Sequence, residues 1–124
     1  MIIGIGTDII EIDRIRKQIE TNKGFVEKIF TKHEIAYCEQ YKSKAQNYAV
    51  RFAAKEAFLK AIGKGWRDGL AFDQVEVVNN ALGKPEIMVS GKAAEIIKEL
   101  QVKNIQVSLS HSHENAIAFV VLEG

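Results

Sequence analysis

The sequence has little of several residue types, with one cysteine, one proline and one tryptophan among 124 residues. The lone thiol, Cys38, cannot form an internal disulfide, and a cysteine-ligated metal cluster would need further thiols. With 47% hydrophobic and 27% charged residues, the composition leaves no low-complexity or disordered tract. We therefore predict a single globular domain, residues 1–124, from a reducing compartment.

Long apolar runs and an excess of one charge are also missing. No segment reaches the roughly 18 to 20 apolar residues that cross a bilayer. The apolar segment 1–10 does not match a signal peptide, because no basic stretch precedes it and Asp8 interrupts it. Basic residues number 17 against 16 acidic ones, which argues against a general nucleic-acid binder. We expect a cytoplasmic protein with no membrane or nucleic-acid partner.

Local patterns predict an α+β fold. Segment 2–10 is an isoleucine-rich strand in which Gly4 and Gly6 allow another element to approach closely. Apolar spacing and capping signals predict a short turn at 25–30 and helices at about 13–20, 31–41, 45–62 and 92–100. β-branched runs predict further strands at 72–78, 86–89, 105–110 and 116–122. We expect a mainly antiparallel sheet of about five strands packed with about four helices.

The most informative segment is 51–61, which places four charges on a helix that is otherwise apolar nearly all the way round. Helical spacing puts Glu56 and Lys60 on one narrow strip and Arg51 and Lys55 on a second. Such groups need partners, because an unpaired buried charge is costly. An anionic ligand with a metal ion would satisfy both signs. The alternative is a solvated Glu–Lys pair that contributes about 0.3 kcal/mol.

Asp8 is an acidic residue in a hydrophobic strand, and two interpretations of it stay open. In the first, Asp8 or Asp13 caps the helix that follows. In the second, Asp8 and Glu56 supply the carboxylates of a Mg²⁺ site that phosphates and water complete. Separation along the sequence does not show whether the two carboxylates meet.

Serine occupies every second position of segment 108–113, so a strand would turn Ser110 to one face and His111 and His113 to the other. Two histidines can bind zinc, but only His33 remains as a third imidazole. A hydroxyl-rich strand end can equally hold a phosphate. Nucleophile-elbow, Walker A and GxGxxG motifs are missing.

Five motifs follow one another along nearly the whole chain. They are residues 4–9 with Arg14-Ile15, Phe30-Thr31 with Glu34, residues 51–57 with Lys60-Ala61, Gly83-Lys84-Pro85, and Ser110-His111-Ser112. Each is weak alone, but together and at compatible spacings they resemble the holo-(acyl-carrier-protein) synthase family. This family is the small, single-repeat type of 4′-phosphopantetheinyl transferase. Larger relatives carry a tryptophan where Phe52 stands and repeat the half-fold within one chain.

The resemblance implies transfer of 4′-phosphopantetheine from coenzyme A to a serine of apo-acyl carrier protein, with release of adenosine 3′,5′-bisphosphate and a requirement for Mg²⁺. Asp8 and Glu56 would bind the metal, and with Lys60, beside the diphosphate, they would be the catalytic residues. The proton acceptor is Glu56 or a metal-bound water. Two alternatives stay open: a non-enzymatic nucleotide- or protein-binding module, and a Mg²⁺-dependent hydrolase of nucleotide diphosphates.

The resemblance also implies the binding surfaces. The residues that would contact coenzyme A are Arg51, Lys60, Lys84, Pro85, Ser110 and His111. Arg14 would be the centre of a local basic patch for the acidic carrier protein. A homotrimer with active sites at the subunit boundaries is implied, in which one chain supplies Asp8, Glu56 and Lys60 and the next supplies Arg51 and His111, with a dimer as the alternative. We expect the helix at 45–62 to support this assembly, because its apolar residues cover more than one face.

Overall fold

The computed structural model describes residues 1–63, 65 and 69–124. The described part contains five strands and five helices. In chain order they are β1 (Ile2–Glu11), α1 (Ile12–Thr21), α2 (Phe25–Ile29), α3 (Lys32–Glu39), α4 (Lys44–Ile62), β2 (Val75–Asn79), β3 (Pro85–Val89), α5 (Gly91–Glu99), β4 (Asn104–His111) and β5 (Asn115–Glu123). The α+β class is confirmed. None of the described helices is both long and apolar enough to traverse a lipid bilayer.

The described strands form two antiparallel sheets instead of one. The larger sheet has the order β1-β5-β4, and β2 pairs with β3 in a separate hairpin. β1 therefore pairs with the last strand of the chain, with Asp8 opposite Ala118. The predicted strand at 72–78 begins only at Val75, because Phe72–Gln74 forms a 3₁₀ turn whose Phe72 carbonyl accepts a hydrogen bond from Lys55.

The sequence signals for the start of α3 and for the end of α4 are both confirmed. The Thr31 hydroxyl accepts from the Glu34 amide at 3.2 Å, and the Glu34 carboxylate accepts from the Thr31 amide at 2.9 Å. This capping box begins α3. Gly63 and Gly65 have φ angles of 72° and 67°, the left-handed conformation that ends α4.

α4 is the central helix, and 13 of its 19 residues are buried. It contacts β1 and β5 of the large sheet, α1, α3 and the β2 strand. α4 therefore does not need a neighbouring copy to cover its second apolar face, contrary to the prediction, because its own chain surrounds it. The apolar surface that stays open lies elsewhere, on the outer face of the large sheet.

β1 and α4 pack backbone against backbone. A Cβ atom at Gly4 would collide with the carbonyl of Ala61, and one at Gly6 with the carbonyl of Ala57. The predicted close approach at these glycines is thus confirmed, and α4 is the element that approaches. Small residues on both sides bring the strand and the helix together without side chains between them.

We predict that Gly6→Ala destabilises the fold by about 2–3 kcal/mol. The added methyl group would collide with backbone atoms of α4, which cannot move aside as a flexible side chain could. The free energy of unfolding in urea measures this loss. Glu11→Ala, at an exposed position of the same strand, is the control and should change stability by less than about 0.5 kcal/mol. Equal stability of the two variants would contradict the close packing.

Candidate active site

Asp8 and Lys60, which are 52 residues apart in sequence, meet at one edge of the large sheet. The Lys60 Nζ lies 3.2 Å from the Asp8 Oδ1 and donates to the Thr7 carbonyl at 3.0 Å. The Asp8 side chain is 16% exposed, whereas that of Lys60 is 56% exposed. Asp8 is therefore the floor of this site and Lys60 its rim.

Glu56 lies one helical turn before Lys60 on the same strip of α4 and is half-buried. Because the Lys60 side chain reaches Asp8, helical spacing places Glu56 on the side of α4 that faces the end of β1. The capping interpretation of Asp8 is wrong, because the N-cap residue of α1 is Glu11, whose side chain makes no capping hydrogen bond. The structure thus brings Asp8 and Lys60 into contact, and helical spacing places Glu56 one turn from Lys60 on α4.

The donor set at this site fits Mg²⁺. Magnesium is held by one or two carboxylates together with substrate phosphates and water, and Asp8 with Glu56 offers that number of hard oxygen ligands. Across residues 1–63, 65 and 69–124, no group of three or more histidine, cysteine, aspartate or glutamate side chains is placed to hold a metal ion. A zinc site at His111 and His113 would require such a group.

A shallow pocket of about 300 Å³ opens beside Lys60. Ile5, Gly6, Thr7 and Phe119 complete its lining. Because β1 is an edge strand, this pocket connects the Asp8–Lys60 site with the outer face of the large sheet. A ligand bound at Lys60 would therefore extend from this pocket towards the outer face of the large sheet.

The second charged strip of α4 has a different environment. The Lys55 side chain has no accessible surface, and its Nζ lies 2.8 Å from the Glu34 Oε1. It also donates to the carbonyls of Phe72 at 3.0 Å and Val75 at 2.5 Å. Burial lowers the pKa of Lys55, and the Glu34 charge opposes that shift. For Lys55 the expectation of a ligand partner is wrong, because the protein itself supplies the opposite charge.

Arg51 shares that strip and is also buried, with 3% exposure. Its guanidinium carbon lies 4.2 Å from the centre of the Tyr37 ring, and its Nη1 donates to the Asn47 carbonyl at 3.3 Å. The Nε has no hydrogen-bond partner in the described part of the chain. The Tyr37 hydroxyl accepts from Asn79 at 3.0 Å. Sequence reasoning missed Tyr37, which lacks a motif of its own.

Tyr37 links Arg51 to the hairpin that carries Lys84 and Pro85. Asn79 pairs with Pro85 across the two strands. The side chain of Asn80 fixes the intervening loop, because its Oδ1 accepts from the backbone amide of Lys84 at 3.0 Å. Arg51, Lys84 and Pro85 thus belong to one connected region.

Ser110 and His111 end β4 and are exposed. The His111 Nε2 lies 3.1 Å from the Gln46 Nε2 of α4, on the inner side of the sheet. Ser110 pairs with Ile117 of β5 and faces the opposite side. β5 separates β4 from β1, so within one chain His111 lies two strands away from Asp8. The structure does not bring His111 into the Asp8–Lys60 site.

Arg14 is exposed on α1. Its neighbours Arg16 and Lys17 both bind Asp13, at 3.0 and 3.3 Å, and these hydrogen bonds lower the pKa of Asp13. Arg14 forms no ion pair with any residue that the structure describes. It is therefore the cation of this helix whose charge is least neutralised within the chain.

Taken together, the α+β fold, the carboxylate of Asp8 on β1 and the Glu56–Lys60 strip of α4 are typical of a site for phosphate-bearing ligands and a hard cation. Comparison with known proteins identifies the family. The model of the 4′-phosphopantetheinyl transferase superfamily matches residues 4–120. The chain belongs to this superfamily.

Individual relatives carry a more specific name. The chain is 46% identical over 124 residues to the holo-(acyl-carrier-protein) synthase of Geotalea daltonii, covering 99% of each chain. The crystal structure of the same enzyme from Neisseria meningitidis has a TM-score of 0.89 at 36% identity and covers 100% of both chains. That from Bacillus anthracis, in complex with CoA (3′,5′-ADP), has a TM-score of 0.84 at 39% identity, covering 100% of this chain and 98% of that one.

Proposed function

We propose that this chain transfers 4′-phosphopantetheine from coenzyme A to a serine hydroxyl of apo-acyl carrier protein. The observation that carries the proposal is the contact between Asp8 and Lys60. Glu56 lies on the same strip of α4 as Lys60. The contact occurs in a chain that aligns over nearly its whole length with holo-(acyl-carrier-protein) synthases. One of those enzymes is in complex with CoA (3′,5′-ADP), a ligand of the proposed chemical type.

In the proposed reaction, the serine oxygen forms a bond with the phosphorus that carries the pantetheine arm. The bond from that phosphorus to the bridging oxygen breaks, and adenosine 3′,5′-bisphosphate leaves with the electron pair. Lys60, on the rim of the site, neutralises the charge that develops on the bridging oxygen. The serine proton passes to Glu56 or to a water beside it. Asp8 orients Lys60 through their 3.2 Å contact.

Asp8 and Glu56 are the residues that would hold Mg²⁺. When bound, the ion supplies Lewis-acid stabilisation of the diphosphate. We assign Arg51, Lys84 and Pro85 to the nucleotide portion of coenzyme A, because Tyr37 and Asn79 connect them into one region. We assign the exposed Ser110 and His111, at the end of β4, to the binding set that a neighbouring copy supplies.

Incubation with apo-carrier, coenzyme A and Mg²⁺ should add roughly 340 Da to the carrier, the mass of one phosphopantetheine, as measured by mass spectrometry. Chelator should abolish the transfer, and Mg²⁺ should restore it. Asp8→Ala and Glu56→Ala should each lower kcat/KM by about 10²-fold or more, because they remove stabilisation of the transition state. Far-UV circular dichroism checks that the fold survives.

Glu11→Ala, which removes an exposed carboxylate from the same strand as Asp8, is the control and should keep parental activity. Coenzyme A cleaved without carrier modification would favour the hydrolase, and binding without cleavage would favour the non-enzymatic module. Parental turnover by both the Asp8 and Glu56 variants would reject the assignment of the site.

The carrier protein is the proposed partner of α1. Acyl carrier proteins are acidic, whereas this chain has a formal net charge of only +1, so a local basic patch must attract the partner. Arg14 is the natural centre of that patch, because Asp13 partly neutralises Arg16 and Lys17 but not Arg14.

Arg14→Ala should therefore raise the KM for carrier about fivefold to tenfold and leave the KM for coenzyme A within about twofold, because a charge at an interface rim mainly changes encounter. Added salt should reduce the difference between the variant and the parent. Steady-state kinetics with each substrate varied in turn measures both constants. Lys98→Ala, on the distant α5, controls for the loss of one positive charge, and equal effects on both substrates would argue against the patch.

We further propose a homotrimer in which each active site lies at a subunit boundary. The outer face of the large sheet is an exposed apolar surface; its large apolar residues are Ile3, Ile5, Ile9, Ile117 and Phe119. Ile5 and Ile9 are 58% and 62% exposed. A second copy of this chain would cover the face, and the pocket beside Lys60 opens onto it. The separation of His111 from Asp8 within one chain also fits a shared site.

Mixing Asp8→Ala with His111→Ala should restore part of the activity, because some boundaries in a mixed assembly contain neither substitution. Light scattering should give a trimer, and Ile5→Lys should dissociate it by placing a charge in the apolar face. A monomer at working concentration that is active and shows no rescue on mixing would reject the shared site. A dimer would retain the boundary and change only its symmetry.

The cytoplasm is the proposed location. Cys38 is fully buried, and burial raises the pKa of its thiol to about 12. Such a thiol stays protonated and unreactive and does not form a disulfide, which is consistent with a reducing compartment.

A further inference from the structure

The Lys55–Glu34 pair is fully buried, and the reaction outlined above makes no use of it. Lys55 belongs to α4, Glu34 to α3, and their further hydrogen-bond partners lie around the start of β2. We propose that this ion pair is a positioning device that fixes the rotation of α4 about its axis, so that Glu56 and Lys60 face Asp8. The inference rests on the proposed function, because it gives those residues their catalytic roles.

The angles around α4 support this role. At about 100° per residue, with Lys55 at zero, Ala57 and Ala61 lie near 200° and 240°. Glu56 and Lys60 lie near 100° and 140° on the same scale. Glu56 and Lys60 therefore lie between two points at which α4 is held, which we call anchors. One anchor is the Lys55–Glu34 ion pair, and the other is the pair of alanines packed against β1.

The two anchors constrain different motions. The contact of Ala57 and Ala61 with the glycines of β1 sets how near the helix lies, but small apolar surfaces are not directional and resist rolling weakly. Lys55 makes three directional bonds, to Glu34 and to the carbonyls of Phe72 and Val75. These bonds therefore specify the rotation of the helix more sharply than the contact with the glycines does.

Glu34 is itself held firmly. Its Oε1 accepts from the Thr31 amide at 2.9 Å, and its Oε2 accepts from the Val77 amide at 2.8 Å. The partner of Lys55 is thus attached to both the first turn of α3 and the β2 strand. A lysine bonded to such a fixed carboxylate cannot move unless one of these bonds breaks.

A small rotation would be costly at the site. With side chains, a helix has a radius of about 5–6 Å, so a roll of about 20° moves a side-chain tip by about 2 Å. A misplacement of about 1 Å can lower a rate by about 10²-fold. The ion pair thus has a large effect on the rate although neither member touches substrate.

The test compares Lys55→Met and Glu34→Gln with the double variant. Each single variant should lose thermal stability, because it leaves one buried group without its charged partner. The double variant keeps the volume and the acceptor for the Val77 amide and leaves no buried charge unpaired, so it should regain part of the lost melting temperature. Its kcat should nevertheless stay at least about tenfold below that of the parent, with the KM for carrier within about twofold.

Binding of Mn²⁺, followed by electron paramagnetic resonance with and without coenzyme A, provides a readout independent of turnover. The double variant should bind Mn²⁺ more weakly than the parent does, because Glu56 no longer faces Asp8. Lys98→Met, an exposed lysine of α5, controls for the new methionine and should match the parent in every measurement.

Recovery of stability together with parental kcat and Mn²⁺ binding in the double variant would overturn the proposal and leave the pair a purely stabilising one. If the double variant does not fold, Glu34→Gln alone is measured below its melting temperature, where parental kcat and Mn²⁺ binding would equally overturn it. If the parent binds Mn²⁺ but does not modify the carrier, the proposed function fails, and the Mn²⁺ comparison alone decides the positioning role.

Discussion

The backbone contact between β1 and α4 is the constraint on which the rest of the structure depends. Gly4 and Gly6 leave no room for a side chain opposite Ala57 and Ala61, so strand and helix meet directly. With α4 this close to the strand, Lys60 can reach the carboxylate of Asp8 and the carbonyl before it. A wider spacing would separate the two groups, and the helix would lose its place in the core.

Two lysines only five positions apart on α4 have opposite environments. Lys55 points into the core, where three hydrogen bonds and a buried carboxylate replace the water it has lost. Lys60 points to the sheet edge and stays 56% exposed, beside a carboxylate that is mostly covered. Burial thus separates a structural charge from one that is available to a ligand. Helical spacing alone groups the residues correctly but does not distinguish the two roles.

Features encoded by neighbouring residues could be predicted from the sequence. The capping box at Thr31, the left-handed glycines after α4 and the strand periodicities all specify their elements locally. Relationships between distant segments could not. The partner of Lys55, the stacking of Tyr37 on Arg51 and the division of the strands into two sheets depend on how the elements pack. The site could be predicted in part. The family motifs indicated Asp8 and Lys60 as site residues, but their contact depends on the packing of β1 against α4.

The buried ion pair has a consequence for folding kinetics. Glu34, Lys55 and Val77 come from three separate stretches of the chain, and the charges are satisfied only when all three have met. A partly folded state that buries one of these groups early incurs its desolvation cost without the compensating bond. Compact intermediates with α4 against the wrong surface are therefore disfavoured. We expect the pair to form late, after the transition state, so that it slows unfolding more than it accelerates folding.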